Sequence, residues 1–115
     1  MSLSRAIVRA RRAGPTAPEA ARTAARLHLL DATGVGLAAS ALDQGAPYRR
    51  LAQGQSGVVS VLTGARVGDP AEAALINGGL IHSLEFDDTH TASIVHGSSV
   101  LAAAALAVAE ATGAA

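Results

Sequence analysis

The sequence contains no cysteine, no lysine and no tryptophan, and only one phenylalanine and one tyrosine among its 115 residues. The absence of cysteine excludes disulfides, thiolate zinc sites and cysteine nucleophiles, and it is compatible with a reducing cytoplasm, where we expect the protein to be. All nine basic residues are arginine, and nine acids balance them, so the formal net charge is zero. Because a neutral chain lacks a basic patch for phosphates, we expect no nucleic-acid partner.

Long hydrophobic runs are also missing. The longest apolar run extends from Val100 to Ala109. It is far shorter than the ~20 residues that a membrane-spanning helix needs. The N-terminus has no secretory signal pattern. The sequence therefore predicts no membrane partner.

Alanine, by contrast, is abundant and supplies much of the 50% apolar composition. Alanine is the strongest helix former, and its small side chain lets helices pack closely. We therefore predict an all-α fold with a core of low volume. One short extended segment is expected near residues 58–62, where the β-branched stretch VVSVL is bounded by glycines.

A first helix is predicted from Glu19 to about Leu42, because apolar residues recur there at helical spacing. Thr16 is a candidate cap, and Pro18 suits a first turn. Inside this helix the stretch GVGLAA, residues 34–39, matches the dinucleotide-binding pattern GxGxxA. That pattern needs a preceding strand and a later acid, which are missing here. We interpret the small residues as a place where another helix approaches closely.

The remaining chain divides into a connector, a turn and two more helices. A polar connector is predicted over Asp43–Gly57 and a turn over Gly64–Asp69. A second helix is predicted from Ala71 to about Phe86, with Asp69 as its cap and Pro70 at its start. A third helix is predicted from its cap Ser98 to about Thr112, with Gly113 as its stop. The last helix is apolar nearly all round. Such helices are normally buried on every side, so we expect the chain to be the beginning of something larger.

Titratable groups are concentrated in the fifteen residues His82–His96, which read HSLEFDDTHTASIVH and contain three of the four histidines and three of the nine acids. If the second helix continues to this point, Asn77, Glu85 and Asp88 share an ~80° arc with apolar side chains. A carboxylate on an apolar face must be paired, hydrogen-bonded or raised in pKa. The pattern therefore favours a functional site.

Three interpretations of this stretch remain open on the residues alone. The polar residues could simply end the helix. They could hold a metal, and the possible ligands are His82, Glu85, Asp87, His90 and His96; however, HxxE followed by a later histidine is not the HExxH spacing of zinc proteases. The third interpretation is a metal-free acid–base site suited to proton abstraction or β-elimination.

The string AALINGGLIHSLEFDDTHTASIVHGSSV resembles the pattern of the MmgE/PrpD family, which includes 2-methylcitrate dehydratases, cis-aconitate decarboxylases and iminodisuccinate epimerases. Upstream, APEAARTAARLHLLDATGVGLAAS resembles the opening helix of that family, and VVSVLTG and PAEAALING follow in the family order. The resemblance covers nearly the whole chain from Ala17. It divides the sequence into a basic N-terminal arm at residues 1–16 and a partial N-terminal helical domain at residues 17–115. A mitochondrial presequence can have a composition similar to that of this arm.

The resemblance implies a lyase that needs neither a metal nor an organic cofactor, acts on a small di- or tricarboxylic acid and forms a homodimer. Carried over to this sequence, it implies catalytic roles for Glu85, Thr89 and His96. It implies substrate-binding or supporting roles for Asn77, His82, Asp87 and Asp88. The family alternatives are an epimerase or isomerase and a decarboxylase. The non-enzymatic alternative is a helical fragment that associates with another chain.

Two departures from the family pattern bear on activity. Gly97 stands where a proline usually follows the loop histidine. In addition, family members are several times longer and supply basic residues downstream, whereas the arginines here lie mostly in the arm and at Arg49, Arg50 and Arg66, outside the cluster. We therefore expect the 115-residue chain alone to be catalytically inactive, as a truncated product or fragment.

Overall fold

The computed structural model describes residues 17–114, and the predicted basic arm with its candidate cap Thr16 lies outside them. The described part is mainly helical, which confirms the predicted fold class. Its elements are α1 Glu19–Ala41, a 3₁₀ turn at Asp43–Gly45, α2 Ala46–Ala52, β1 Val59–Ser60, β2 Arg66–Val67, α3 Pro70–His82 and α4 Gly97–Thr112. No helix within residues 17–114 is long and apolar enough to cross a membrane.

Several predicted helix ends are confirmed. α1 begins at Glu19, directly after Pro18. The Oδ1 atom of Asp69 accepts a hydrogen bond of 2.9 Å from the backbone N–H of Ala71, so Asp69 caps α3 as expected. Gly113 follows α4 with a φ of 66°, the left-handed geometry in which glycine commonly ends a helix.

The polar connector predicted at Asp43–Gly57 is wrong, because it contains the 3₁₀ turn and α2. A seven-residue helix is too short to be stable by itself and depends on tertiary contacts. Here the ring of Tyr48 lies against the backbone of Gly79 on α3, and Arg49 donates a 2.8 Å hydrogen bond to the Leu42 carbonyl. Neither contact leaves a periodic pattern in the sequence.

The turn predicted at Gly64–Asp69 is also wrong in part, because it contains β2. β2 pairs antiparallel with β1, with Val59 opposite Val67 and Ser60 opposite Arg66. The predicted extended segment is thus one half of a small hairpin. Glu110 of α4 holds this hairpin by accepting hydrogen bonds of 2.7 Å from both the backbone N–H and the hydroxyl of Ser60.

α3 ends at His82, four residues before the predicted end at Phe86. The backbone then leaves helical geometry, and Glu85 adopts a φ of 54°. The predicted arc that placed Glu85 and Asp88 on one helical face with Asn77 is therefore wrong. Only Asn77 of those three residues belongs to α3.

The core lies where α3 packs between α1 and α4. Its largest fully buried side chains are Ile76, Leu80, Ile81, Val59 and Val67, and most of the other buried apolar residues are alanines. This is the core of low volume that the composition predicts. α4 is not buried on every side within the described residues, because Val100 and Leu101 are 67% and 72% exposed.

Candidate functional site

Asp87 is the centre of the site, and its side chain is completely buried. One carboxylate oxygen lies 3.2 Å from Nδ1 of His82, and the other lies 3.3 Å from Nδ1 of His96. The two imidazole rings meet edge to face, with their centroids 4.8 Å apart. One buried carboxylate therefore positions two histidines.

The fold brings these residues together from three segments. His82 is the last residue of α3, and His96 directly precedes α4. The loop between the two helices bends back on itself, because the His90 N–H donates to the Val95 carbonyl at 2.9 Å and Ile94 adopts a φ of 51°. This closure returns the chain so that His96 reaches the end of α3.

The arrangement suits proton transfer. If Nδ1 of His82 carries a proton, Asp87 accepts its hydrogen bond, and the same carboxylate lies within ion-pair distance of Nδ1 of His96. Each Nε2 is left as a base or acceptor. The hydroxyl oxygen of Thr89 lies 3.4 Å from Nδ1 of His96. The His82 side chain is 51% exposed and that of His96 is 32% exposed, so both rings are accessible from solvent. Four of the seven predicted site residues thus form one cluster.

Asp88 turns away from this cluster and joins a second group. It accepts a hydrogen bond of 2.9 Å from the backbone N–H of Ser98, and it lies 3.7 Å from Nδ1 of His28. Hydrogen bonds from Ser98 lower the pKa of the Asp88 carboxyl, His28 adds to this effect, and burial opposes it. The predicted cap Ser98 is itself inside the first turn of α4, and Asp88 satisfies its N–H instead.

Sequence reasoning missed His28, the only histidine outside the fifteen-residue stretch. Nδ1 of its ring lies 3.7 Å from Asp88 and 3.5 Å from the hydroxyl of Ser98. The available signal was a histidine within an otherwise apolar part of α1. His28 also borders an open groove between α1 and α4.

Glu85 lies apart from the cluster. It is exposed, and its backbone N–H donates to the His82 carbonyl at 3.0 Å. Across residues 17–114, the hydrogen bonds and ion pairs of the cluster join His82, Asp87, Thr89 and His96 and do not include the Glu85 carboxylate. The assignment of Glu85 as a catalytic group remains a prediction.

Asn77 is buried at a different place. Its Oδ1 accepts a 2.8 Å hydrogen bond from the Leu62 N–H, and its Nδ2 donates to the Ser60 carbonyl at 3.3 Å. It attaches the hairpin to α3, which is support for the fold that holds the site. A direct role for Asn77 toward a substrate remains a prediction.

The arginines with described partners bind away from the cluster. Arg22 and Arg26 pair with Glu19, Arg49 binds backbone carbonyls, and Arg66 lies 3.2 Å from Glu110. The clustered histidines are therefore not accompanied by these cations. A substrate with several carboxylates would need further positive groups.

The structure thus defines a small helical domain that presents a carboxylate with two histidines at the junction of its last two helices. The MmgE/PrpD N-terminal domain matches residues 4–115, and the chain therefore belongs to the MmgE/PrpD family. No curated protein and no solved structure matches the chain.

Proposed function

We propose that this chain contributes the acid–base half of a cofactor-independent lyase active site, which acts on a di- or tricarboxylic acid. The reaction is a β-elimination like that of 2-methylcitrate dehydratases. The observation that supports it most directly is the buried Asp87 carboxylate that holds the His82 and His96 rings. Family membership supports the same reaction class.

In the proposed reaction a base removes a proton from the carbon next to a substrate carboxylate. The electrons of that C–H bond form the new double bond, and the neighbouring hydroxyl leaves as water after it receives a proton. His96 is our candidate for the proton donor, since its ring lies beside the buried Asp87 carboxylate. The Thr89 hydroxyl would bind a substrate oxygen, and Glu85 is our candidate base because it is exposed on the same loop.

The proposal includes two further parts. A polycarboxylate needs cationic groups that the paired arginines do not place at the cluster. We therefore expect that the 115-residue chain alone does not turn over substrate. We also propose that the working enzyme is a homodimer, as the family resemblance implies.

An NMR titration with citrate or 2-methylcitrate tests the proposal. It monitors the ring C–H resonances of the four histidines. The His82 and His96 resonances, assigned with His82→Gln and His96→Gln, should shift with added polycarboxylate. His90 serves as the internal control on the same loop. Propionate at equal ionic strength should produce much smaller shifts, because it has one carboxylate.

Equal shifts at all four histidines, or none at His82 and His96, would contradict the assignment of the site. Loss of 2-methylcitrate with formation of an unsaturated acid, catalysed by the purified chain, would contradict the expectation that the chain alone does not turn over substrate. Thr89→Val is the matched test of the hydroxyl. It keeps the side-chain shape, and it should weaken the polycarboxylate response by about 3- to 10-fold, the usual effect of one hydrogen bond.

A further inference from the structure

The His82–Asp87–His96 cluster also has the composition of a metal-binding site. Among the described residues it is the group of histidines and carboxylates in which three candidate ligand atoms lie within 4.8 Å of one another. Two imidazoles and one carboxylate are a donor set that zinc and cobalt accept readily, with an open position for water. Since the sequence has no cysteine, no thiolate competes for such an ion.

We propose that this cluster binds a divalent transition-metal ion of the zinc class through one atom each of His82, Asp87 and His96. The distances support it. Nitrogen and oxygen ligands about 2.0–2.2 Å from a tetrahedral ion lie roughly 3.4 Å from each other. A single Asp87 oxygen, Oδ1, lies 3.3 Å from Nδ1 of His82 and 3.3 Å from Nδ1 of His96. Two edges of the coordination tetrahedron are therefore already formed.

Asp87 and His82 differ in solvent exposure, and we infer different roles for them in metal binding. The Asp87 side chain is inaccessible to solvent, so it is held as a fixed ligand between the two rings. The His82 side chain is 51% exposed, which gives an ion a path from solvent and leaves room for a bound water. The candidate ligand atoms of the three residues lie within 4.8 Å of one another, and a rotation of the exposed His82 ring would shorten the edge between the two histidines.

Metal binding would oppose the proposed acid–base chemistry. An ion on Nδ1 of His96 would lie between this ring and the Asp87 carboxylate, and it would disturb the 3.4 Å contact with Thr89. The ion would thus be an inhibitor of the site and not a cofactor. This consequence depends on the proposed function, whereas binding of the ion does not.

Titration of the tag-free protein with Co²⁺, followed by visible absorption, tests the inference. We expect a d–d spectrum typical of low coordination number that saturates at one ion per chain and disappears on addition of Zn²⁺. Mg²⁺ should not displace Co²⁺, because it prefers oxygen ligands in an octahedron. A titration without such a spectrum would overturn the inference.

Matched variants locate the ion. His82→Gln and His96→Gln should each weaken Co²⁺ binding by more than the ~10- to 100-fold that loss of even an outer-shell partner costs. His90→Gln is the control, since His90 lies on the same loop and is exposed, with its Nδ1 2.7 Å from the Ser93 hydroxyl. Far-UV circular dichroism checks that each variant folds. Equal weakening by His90→Gln, or unchanged binding in both of the other variants, would refute the site.

The outcomes separate this inference from the proposed function. Co²⁺ binding without any response to polycarboxylate would leave the metal site intact and remove support for the lyase. Polycarboxylate-induced shifts of His82 and His96 without Co²⁺ binding would support the lyase site and refute the metal site. If both occur, Zn²⁺ should suppress the citrate-induced shift of His96 by more than its chelation by free citrate accounts for, and independent binding of the two would contradict the inhibitory role.

Discussion

Asp88 stabilises the start of α4 from outside that helix. Its Oδ1 accepts the Ser98 N–H at 2.9 Å, in the place where a capping side chain normally acts. A carboxylate near a helix N-terminus is favoured in its charged form, in agreement with the lowered pKa of Asp88. The same residue faces His28 at 3.7 Å, so it joins α1 to the α4 terminus.

The stability of the protein should therefore depend on the charge of Asp88 in acid. The pKa of Asp88 in the folded protein lies below the 3.8 of a free aspartate side chain. The contribution is fully present above that value and is lost as the pH falls through the folded-state pKa. Asp88→Asn should lower the free energy of unfolding by about 0.3–1 kcal/mol at neutral pH, and this difference should shrink below pH ~3.8.

Urea unfolding at a series of pH values, followed by circular dichroism, measures the difference between the wild type and Asp88→Asn. Asp31→Asn is the control, because Asp31 is exposed in the middle of α1 and borders the same cleft as His28 and Asp88, but accepts no described hydrogen bond from the start of α4. A difference that grows in acid, or one that Asp31→Asn reproduces, would be evidence against this role of Asp88.

The crowding of the candidate residues could be predicted, but the contacts among them could not. The crowding of His82, Asp87 and His96 in an apolar sequence is visible in the composition. The central position of Asp87 depends on where α3 ends. That end follows from the left-handed backbone at Glu85 and from the loop hydrogen bonds, which a helical-wheel argument does not contain.

At the scale of elements, two glycines within helices should respond oppositely to alanine. A Cβ on Gly79 of α3 would overlap the ring of Tyr48 on α2, whereas a Cβ on Gly34 of α1 meets nothing within 4 Å. We expect Gly34→Ala to stabilise the protein by about 0.5–1 kcal/mol through helix propensity. Gly79→Ala should destabilise it by about 1 kcal/mol or more, because overpacking exceeds the propensity gain.

Urea denaturation of both variants measures these changes, and Tyr48→Ala provides the cross-check. Without the ring, Gly79→Ala should become neutral or stabilising, which gives a coupling energy in a double-mutant cycle. A stabilising effect of Gly79→Ala in the presence of Tyr48 would show that α2 does not pack on α3 as described.

The start of α3 and the end of α4 could be predicted, because Asp69, Pro70 and Gly113 fix these ends through local backbone geometry and hydrogen bonds. The interpretation of GVGLAA as a place of close approach is confirmed at Gly36, where an added Cβ would lie 3.1 Å from the Ile81 side chain. α2 and β2 were not predictable, because both are too short to show a period and depend on contacts with α3 and β1.

At the scale of the whole molecule, α1 and α4 leave an apolar groove open to solvent. The groove has a volume of about 470 Å³, and its apolar lining is Ala25, Leu29, Leu101, Ala102 and Ala105. Leu101 is 72% exposed. Exposed apolar surface of this kind marks interaction sites in proteins. Asp88 and Ser98 line the same groove, next to Asp87 of the cluster.

We expect the chain to associate with itself through this groove, in accord with the proposed homodimer. Sedimentation velocity over a range of concentrations should show a reversible equilibrium. Leu101→Glu should raise the dissociation constant by about tenfold or more, the effect of losing one apolar anchor. Leu75→Glu is the control, because Leu75 is 63% exposed on α3 but does not line the groove.

A dimer formed at this groove would bring a second chain next to the histidine cluster, where the proposed lyase needs cations. Polycarboxylate binding and association should then be linked, so citrate should strengthen the dimer and the dimer should bind citrate more tightly, by the same factor. Sedimentation with and without citrate measures the effect of citrate on the dissociation constant of the dimer. The His96 titration at two protein concentrations measures the effect of dimerisation on citrate affinity. If citrate leaves the association unchanged, dimerisation through the apolar groove is not linked to substrate binding at the histidine cluster.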